Sequence, residues 1–66
     1  MKNNIKIERA RHNFTQADLA DKIGVSRQSI NAIEKGKYVP SAVLALKIAK
    51  LFNLSVEEVF ELEDDD

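Results

Sequence analysis

The sequence is short of nearly everything that covalent or redox chemistry needs. It has no cysteine, which excludes disulfides and thiolate metal sites and suits a reducing compartment, so a cytoplasmic location is expected. His12 is its only histidine, no glycine-rich loop is present to cradle a phosphate, and no nucleophile stands beside a base. Neither enzymatic activity nor a cofactor, metal or small-molecule ligand is therefore expected. With one proline and two glycines the chain contains no linker and no low-complexity stretch. No apolar run reaches the length of a membrane span, and the opening MKNNIKIERA lacks the apolar core of a signal peptide. What is left is one domain over residues 1–66, near the lower size limit for folding alone, where a partner subunit would add buried surface.

The formal net charge is −1, but its distribution is lopsided. Residues 1–50 hold all ten Lys and Arg against four acids, a net of +6, whereas residues 51–66 hold seven acids and no base, a net of −7. Such a split points to a basic working surface followed by an acidic tail at 61–66. Glu57, Glu58, Glu61 and Glu63 fit no calcium-loop spacing and form a solvated acidic face. Asp64–Asp66 are expected to be disordered. Lys2, Lys6 and Arg11 are expected to be merely solvated.

Apolar residues recur at helical spacing through most of the chain. A first helix is expected over about 5–12, with His12 as its polar end and Asn13 as a left-handed cap. TQAD (15–18) is a capping box that opens a second helix over 16–23, whose inward stripe is Leu19, Ala20 and Ile23 and which Gly24 ends. Ser26 caps a third helix over 27–34, closed by Gly36. Ser41 starts the longest, over 42–52, with Leu44, Ile48, Leu51 and Phe52 on one apolar side and Ala42, Leu46 and Ala49 on another. A helix apolar on two sides is expected at the centre of a bundle. SVEE (55–58) is a second capping box, opening a short helix over 56–60. Phe14, Phe52 and Phe60 are expected in the core or at a subunit contact. The fold class is all-α, a compact five-helix bundle. Near its ends, NIKI (4–7) and FELE (60–63) alternate with period two. They leave two possibilities open, short strands that pair antiparallel or frayed helix ends.

The stretch GVSRQSINAIEKG (24–36) carries the functional signal. Ile30 and Ile33 fall on one side of its helix with Val25. Arg27, Gln28, Asn31, Ala32 and Lys35 form a strip on the other, linked by steps of three and four residues. The preceding helix ends only a few residues earlier at Gly24, and a short glycine turn between two helices is the helix-turn-helix arrangement, whose second helix enters a DNA major groove. The residue types suit that task. Arginine bonds guanine O6 and N7, glutamine bonds adenine N6 and N7, and a small apolar alanine fits against a thymine methyl. Gln16 and Ser26 each open a helix, where backbone N–H groups favour a phosphate. Ser29 is grouped with them, and Lys35, Lys37 and Tyr38 follow the helix as further phosphate contacts.

The segment TQADLADKIGVSRQSINAIEKGKYVPS closely resembles the DNA-binding motif of the phage-repressor-like (Xre/Cro/CI) helix-turn-helix family. With Gln16 as first motif residue, Ala20 stands fifth, Gly24 ninth, Ile30 fifteenth and Ile33 eighteenth, the small, turn and core positions that the family uses. PSAVLALKIAKLF and SVEEVF extend the likeness to about Ile5–Phe60, closest to compact dimeric repressors that are little more than this domain. The resemblance implies a five-helix bundle, a homodimer through the C-terminal helix and a small terminal β-sheet. It also implies phosphate contacts at Gln16, Ser26, Lys35, Lys37 and Tyr38, and base reading by Arg27, Gln28, Asn31 and Ala32. Two departures stand out. Glu8 replaces the usual leucine with Ile7 beside it, leaving open that the first helix is rotated or starts later, and His12–Asn13 replaces a glycine-containing turn.

Glu34 lies four residues after Ile30 and Arg9 four after Ile5, so both charges point inward and need a partner. An Arg9–Glu34 ion pair beneath the third helix is expected, as the resemblance also implies. Val56, Val59, Phe60 and Leu62 form an apolar cluster expected to mediate self-association. Together these features imply a sequence-specific double-stranded DNA-binding transcriptional regulator. It would be a homodimer on a palindromic operator with half-sites about 34 Å apart. Promoter occlusion is expected, a repressor rather than an activator, because the chain leaves no room for an activation domain. The alternative is an antitoxin or other partner-protein-binding module that also autoregulates its promoter, its apolar patch and acidic end neutralising a basic protein. A regulatory partner protein fits either possibility.

Overall fold

The computed structural model describes all 66 residues. In chain order they form β1 (Lys2–Asn3), α1 (Ile5–His12), α2 (Gln16–Ile23), α3 (Arg27–Glu34), α4 (Ala42–Leu51), α5 (Val56–Val59) and β2 (Phe60–Glu61). Local chemistry sets the boundaries. At the start of α2, Thr15 Oγ1 accepts from the Asp18 N–H while the Asp18 carboxylate accepts from the Thr15 N–H, each at 2.9 Å. Ser26 and Ser41 cap α3 and α4 by accepting from the Ser29 and Leu44 N–H groups. At α5 the Ser55 N–H donates to Glu58 Oε1 at 2.9 Å. Four left-handed residues, Asn13, Gly24, Gly36 and Asn53, end the first four helices. After α3 the Gly36 N–H bonds Ile33 O and the Lys37 N–H bonds Ala32 O, a paired closure that satisfies the last carbonyls.

One core of thirteen apolar residues holds the helices together, with Ile5, Leu19, Ile30, Ile33, Ile48 and Val59 fully buried. α2 and α3 pack directly on each other, while α4 supplies Leu44, Ala45, Ile48 and Ala49 from below. The His12 ring lies tilted against Phe14 and Phe52 at centroid distances of 5.5 and 5.2 Å, and Lys22 Nζ lies over the Phe14 ring. No helix is long and apolar enough to cross a membrane.

Several expectations need correction. The second apolar side of α4 does not face the core: Ala49 is buried, but Ala42 and Leu46 are exposed and so is Val43. α4 therefore lies at the edge of the bundle rather than at its centre. Phe52 caps α4 rather than continuing it, and Phe60 leaves α5 to join β2. The terminal strands do pair, antiparallel, with Lys2 opposite Glu61 and Asn3 opposite Phe60. The N-terminal strand is not NIKI, however. Asn3 Oδ1 accepts from the Ile5 N–H and the chain turns helical there. α1 is neither late nor displaced: Ile5 and Glu8 face inward, Ile7 faces solvent, and Arg11 meets the Glu8 carboxylate at 2.8 Å. The last residues are folded back, not disordered. Glu63 and Asp66 bind the Met1 ammonium at 3.1 and 3.2 Å, and Asp66 also accepts from the Glu63 N–H.

Candidate nucleic-acid interface

The turn Gly24–Ser26 sets α3 against α2, with the Gly24 and Val25 N–H groups both bonded to Ala20 O. Ile30 and Ile33 anchor α3 in the core, which leaves its opposite side at the surface. Arg27, Gln28 and Lys35 are exposed there, and Ser29, Asn31 and Ala32 are half-buried beside them. Gln16, from the first turn of α2, joins Arg27, Gln28 and Asn31 around one shallow concavity that no apolar side chain lines. The guanidinium of Arg27 and the amide of Gln28 take no hydrogen bond or ion pair from the fold. They are exposed hydrogen-bonding groups with only water to satisfy them.

Beneath this strip lies a charged strut. Arg9 Nε donates to Glu34 Oε2 at 2.7 Å and Arg9 Nη2 to Glu34 Oε1 at 2.9 Å, with side chains only 14% and 8% exposed. Arg9 Nη1 also donates to Phe14 O at 3.1 Å, so one guanidinium ties α1, the α1–α2 connection and α3 together. The bond to Glu34 holds the arginine pKa above its ordinary value. Gln16 Nε2 donates to Asn31 Oδ1 at 3.2 Å and to Glu34 Oε1 at 3.4 Å. The far end of α3 is held as well, Asn3 Nδ2 donating to Ile33 O at 2.8 Å.

The other expected site residues are scattered. Ser26 and Ser29 hydroxyls bond each other at 2.9 Å at the start of α3. Lys37 and Tyr38 are exposed in the connection after α3. Lys35 and Gly36 share a separate polar cleft with Glu57, Glu58, Glu61 and Glu63, so the acid-rich end flanks the last turn of α3 and not its first. The four residues expected at a subunit contact do not form one patch. Val59 and Phe60 are core residues, enclosed because β2 pairs with β1, whereas Val56 is half-buried and Leu62 lies at the surface. Other apolar side chains are exposed elsewhere: Val39, Val43 and Leu46 are 59%, 63% and 59% exposed. Leu46 continues into a groove with Ala49, Leu54 and Val56. Sequence reasoning missed this face by treating both sides of α4 as core. The i, i+3 spacing of Val43 and Leu46 beside Lys47 and Lys50 was the available signal. It missed the Gln16–Asn31 bond altogether, because nothing in the spacing of two separate helices specifies it.

A helix-turn-helix family model matches residues 5–59. An uncharacterised HTH-type transcriptional regulator of Methanocaldococcus jannaschii is 62% identical over 66 residues, covering the whole of both chains. Another, YgzD of Bacillus subtilis, is 52% identical over 65 residues and 98% of each chain. Among solved structures, the hypothetical transcription factor NHTF from Neisseria shares the fold with a TM-score of 0.76 at 20% identity. That likeness covers 83% of this chain, which spans 63% of the Neisseria chain's length. The turn geometry, the buried Ile30 and Ile33 and the match along residues 5–59 agree, and the chain belongs to the phage-repressor-like (Xre/Cro/CI) helix-turn-helix family.

Proposed function

We propose that this protein is a sequence-specific double-stranded DNA-binding transcriptional regulator that works as a homodimeric repressor. The observation that carries this is the outward strip of α3. Arg27 and Gln28 project from its first turn with no partner in the fold, next to Asn31 and Gln16, on a helix held from beneath by Arg9–Glu34. A rigid helix presenting unbonded guanidinium and amide groups suits base edges in a major groove. Lys35, Lys37 and Tyr38 then lie along the flanking backbone as phosphate contacts, with the free N–H groups at the start of α2 and α3. Second copies of the chain meet through Val39, Val43 and Leu46, which places two α3 helices on a palindromic operator. Occupancy of the promoter is the repressing event, on the cytoplasmic side where the DNA lies.

The test is a titration of the purified protein with its own upstream DNA and with random duplex at two salt concentrations. Tight, salt-sensitive binding of a dimer to the upstream DNA with much weaker binding to random duplex is the expected result. Equal and weak binding to both would move the function to the protein-partner class, with the α4 face as its surface.

A further inference from the structure

We propose that Asn3, in β1, is a positioning residue of the DNA interface: it sets the last turn of α3 and keeps Lys35 available for a phosphate. This rests on the DNA-binding function above. The Asn3 amide faces two backbone groups of fixed character. The Ile33 carbonyl can only accept and the Ile5 N–H can only donate, so Nδ2 points to α3 at 2.8 Å and Oδ1 to α1 at 3.2 Å. The bond to Ile33 has no substitute. It is the only hydrogen bond joining the backbone of residues 33–40 to an element other than α3. Arg9 holds the same turn through the flexible Glu34 side chain, whereas Asn3 grips the backbone itself.

The other side of this brace is fixed to the core. Asn3 pairs with Phe60, the Asn4 N–H donates to Val59 O at 2.9 Å, and Val59 and Phe60 are both interior. Met1 O also approaches the α3 terminus, 3.8 Å from where a side chain at Gly36 would begin. Lys35 stands two residues beyond Ile33, in the polar cleft between α3 and the acid-rich end. Four glutamates line that cleft, Glu57, Glu58, Glu61 and Glu63, yet Lys35 pairs with none of them. By fixing the end of α3 relative to β2, Asn3 keeps the lysine apart from these carboxylates and leaves it to neutralise a DNA phosphate. Arg27 and Gln28 lie roughly 8 Å away along the helix axis, in its first turn, and are outside the reach of this bond.

The experiment measures affinity for the upstream duplex and for random duplex over a series of salt concentrations. It compares the wild type with Asn3→Ser, Asn3→Ala, Lys35→Ala and the Asn3→Ser/Lys35→Ala double variant. Serine can still accept from the Ile5 N–H but is too short to reach Ile33, and alanine loses both bonds. Asn3→Ser should weaken binding to both duplexes by about fivefold near physiological salt, the worth of one phosphate contact, and reduce the salt slope by about one. The ratio of specific to random affinity should stay within about twofold, and the double variant should lose no more than Lys35→Ala alone. Asn3→Ala should match Asn3→Ser on DNA while melting lower, because only it loses the bond that starts α1. Unchanged affinity and slope in Asn3→Ser would overturn the proposal and leave the bond purely structural. Losses that multiply in the double variant would also overturn it, making Asn3 a separate DNA contact. Hydrogen exchange in the wild type gives a check that needs no variant. One Asn3 side-chain amide proton should stay protected in the DNA complex as in the free protein, and its loss of protection on binding would contradict the proposal. A wild type that binds both duplexes equally and weakly would remove the DNA-binding function itself, before any variant is compared, and the proposal with it.

Discussion

α3 and α4 are built alike and finished differently. Each drives an apolar stripe into the same core, Ile30 and Ile33 from one, Leu44 and Ile48 from the other, and each leaves a face in solvent. The α3 face shows a guanidinium and amides, whereas the α4 face shows Val43 and Leu46. Hydrated polar groups cost the folded monomer little, and they gain only when a partner supplies matching donors and acceptors. Exposed Val and Leu side chains are unfavourable in water by about 1.5–3 kcal/mol each relative to burial, and any apolar partner relieves them. Under the proposed function the first face carries specificity and the second carries association. Their undersides differ too, since α3 rests partly on a buried ion pair and α4 on hydrocarbon alone.

That contrast is open to attack at each point, starting with the support of α3. Arg9→Met strands the Glu34 carboxylate in a site where its side chain is 8% exposed. The expected loss is about 3 kcal/mol in urea unfolding, the lower end for a broken buried pair because this one lies near the surface. Gln28→Ala should leave stability within about 0.5 kcal/mol and weaken the specific DNA complex by about 1–3 kcal/mol, with non-specific binding barely altered. Equal loss on both DNAs would strike Gln28 from the base-reading residues. On the other helix, Leu46→Glu should weaken self-association at least about tenfold by sedimentation while the monomer's melting point stays nearly constant. Val59→Ala should do the reverse and lower stability while leaving self-association unchanged, because Val59 is interior.

The smallest effect is electrostatic and common to both helical boundaries. The Thr15 N–H holds the Asp18 carboxyl below its ordinary pKa, and the Ser55 N–H does the same for Glu58. A depressed folded-state pKa stabilises the protein above the ordinary carboxylate range, and that contribution fades as pH falls through about 4 and below. Melting temperature should therefore decline modestly between pH 6 and pH 3. Asp18→Asn should flatten part of that decline.

Signals within a few residues of each other were legible in the sequence. TQAD, SVEE, Ser26 and Ser41 start helices, and Asn13, Gly24 and Gly36 stop them, because capping bonds and left-handed turns are decided locally. The inward stripe of Ile30 and Ile33, and hence the outward strip of α3, follows from helical spacing. The places where two segments meet were less accessible. Val59 and Phe60 are apolar in the same way as Val43 and Leu46, and only the pairing of β2 with β1 decides which two are enclosed. The folding back of Glu63 and Asp66 onto Met1 is likewise a meeting of chain ends, invisible to a window that sees only a run of acids. The bonds from Gln16 to Asn31 and Glu34 join side chains of α2 and α3 and have no sequence signature at all.

The central claim, that α3 faces DNA and α4 faces protein, is tested most directly by backbone and side-chain amide NMR during titration with the upstream duplex. Shifts are predicted to concentrate at Gln16, Arg27, Gln28, Asn31 and Lys35, with Val43 and Leu46 unmoved once the dimer has formed. Shifts centred on Val43 and Leu46, with the α3 strip silent, would contradict it.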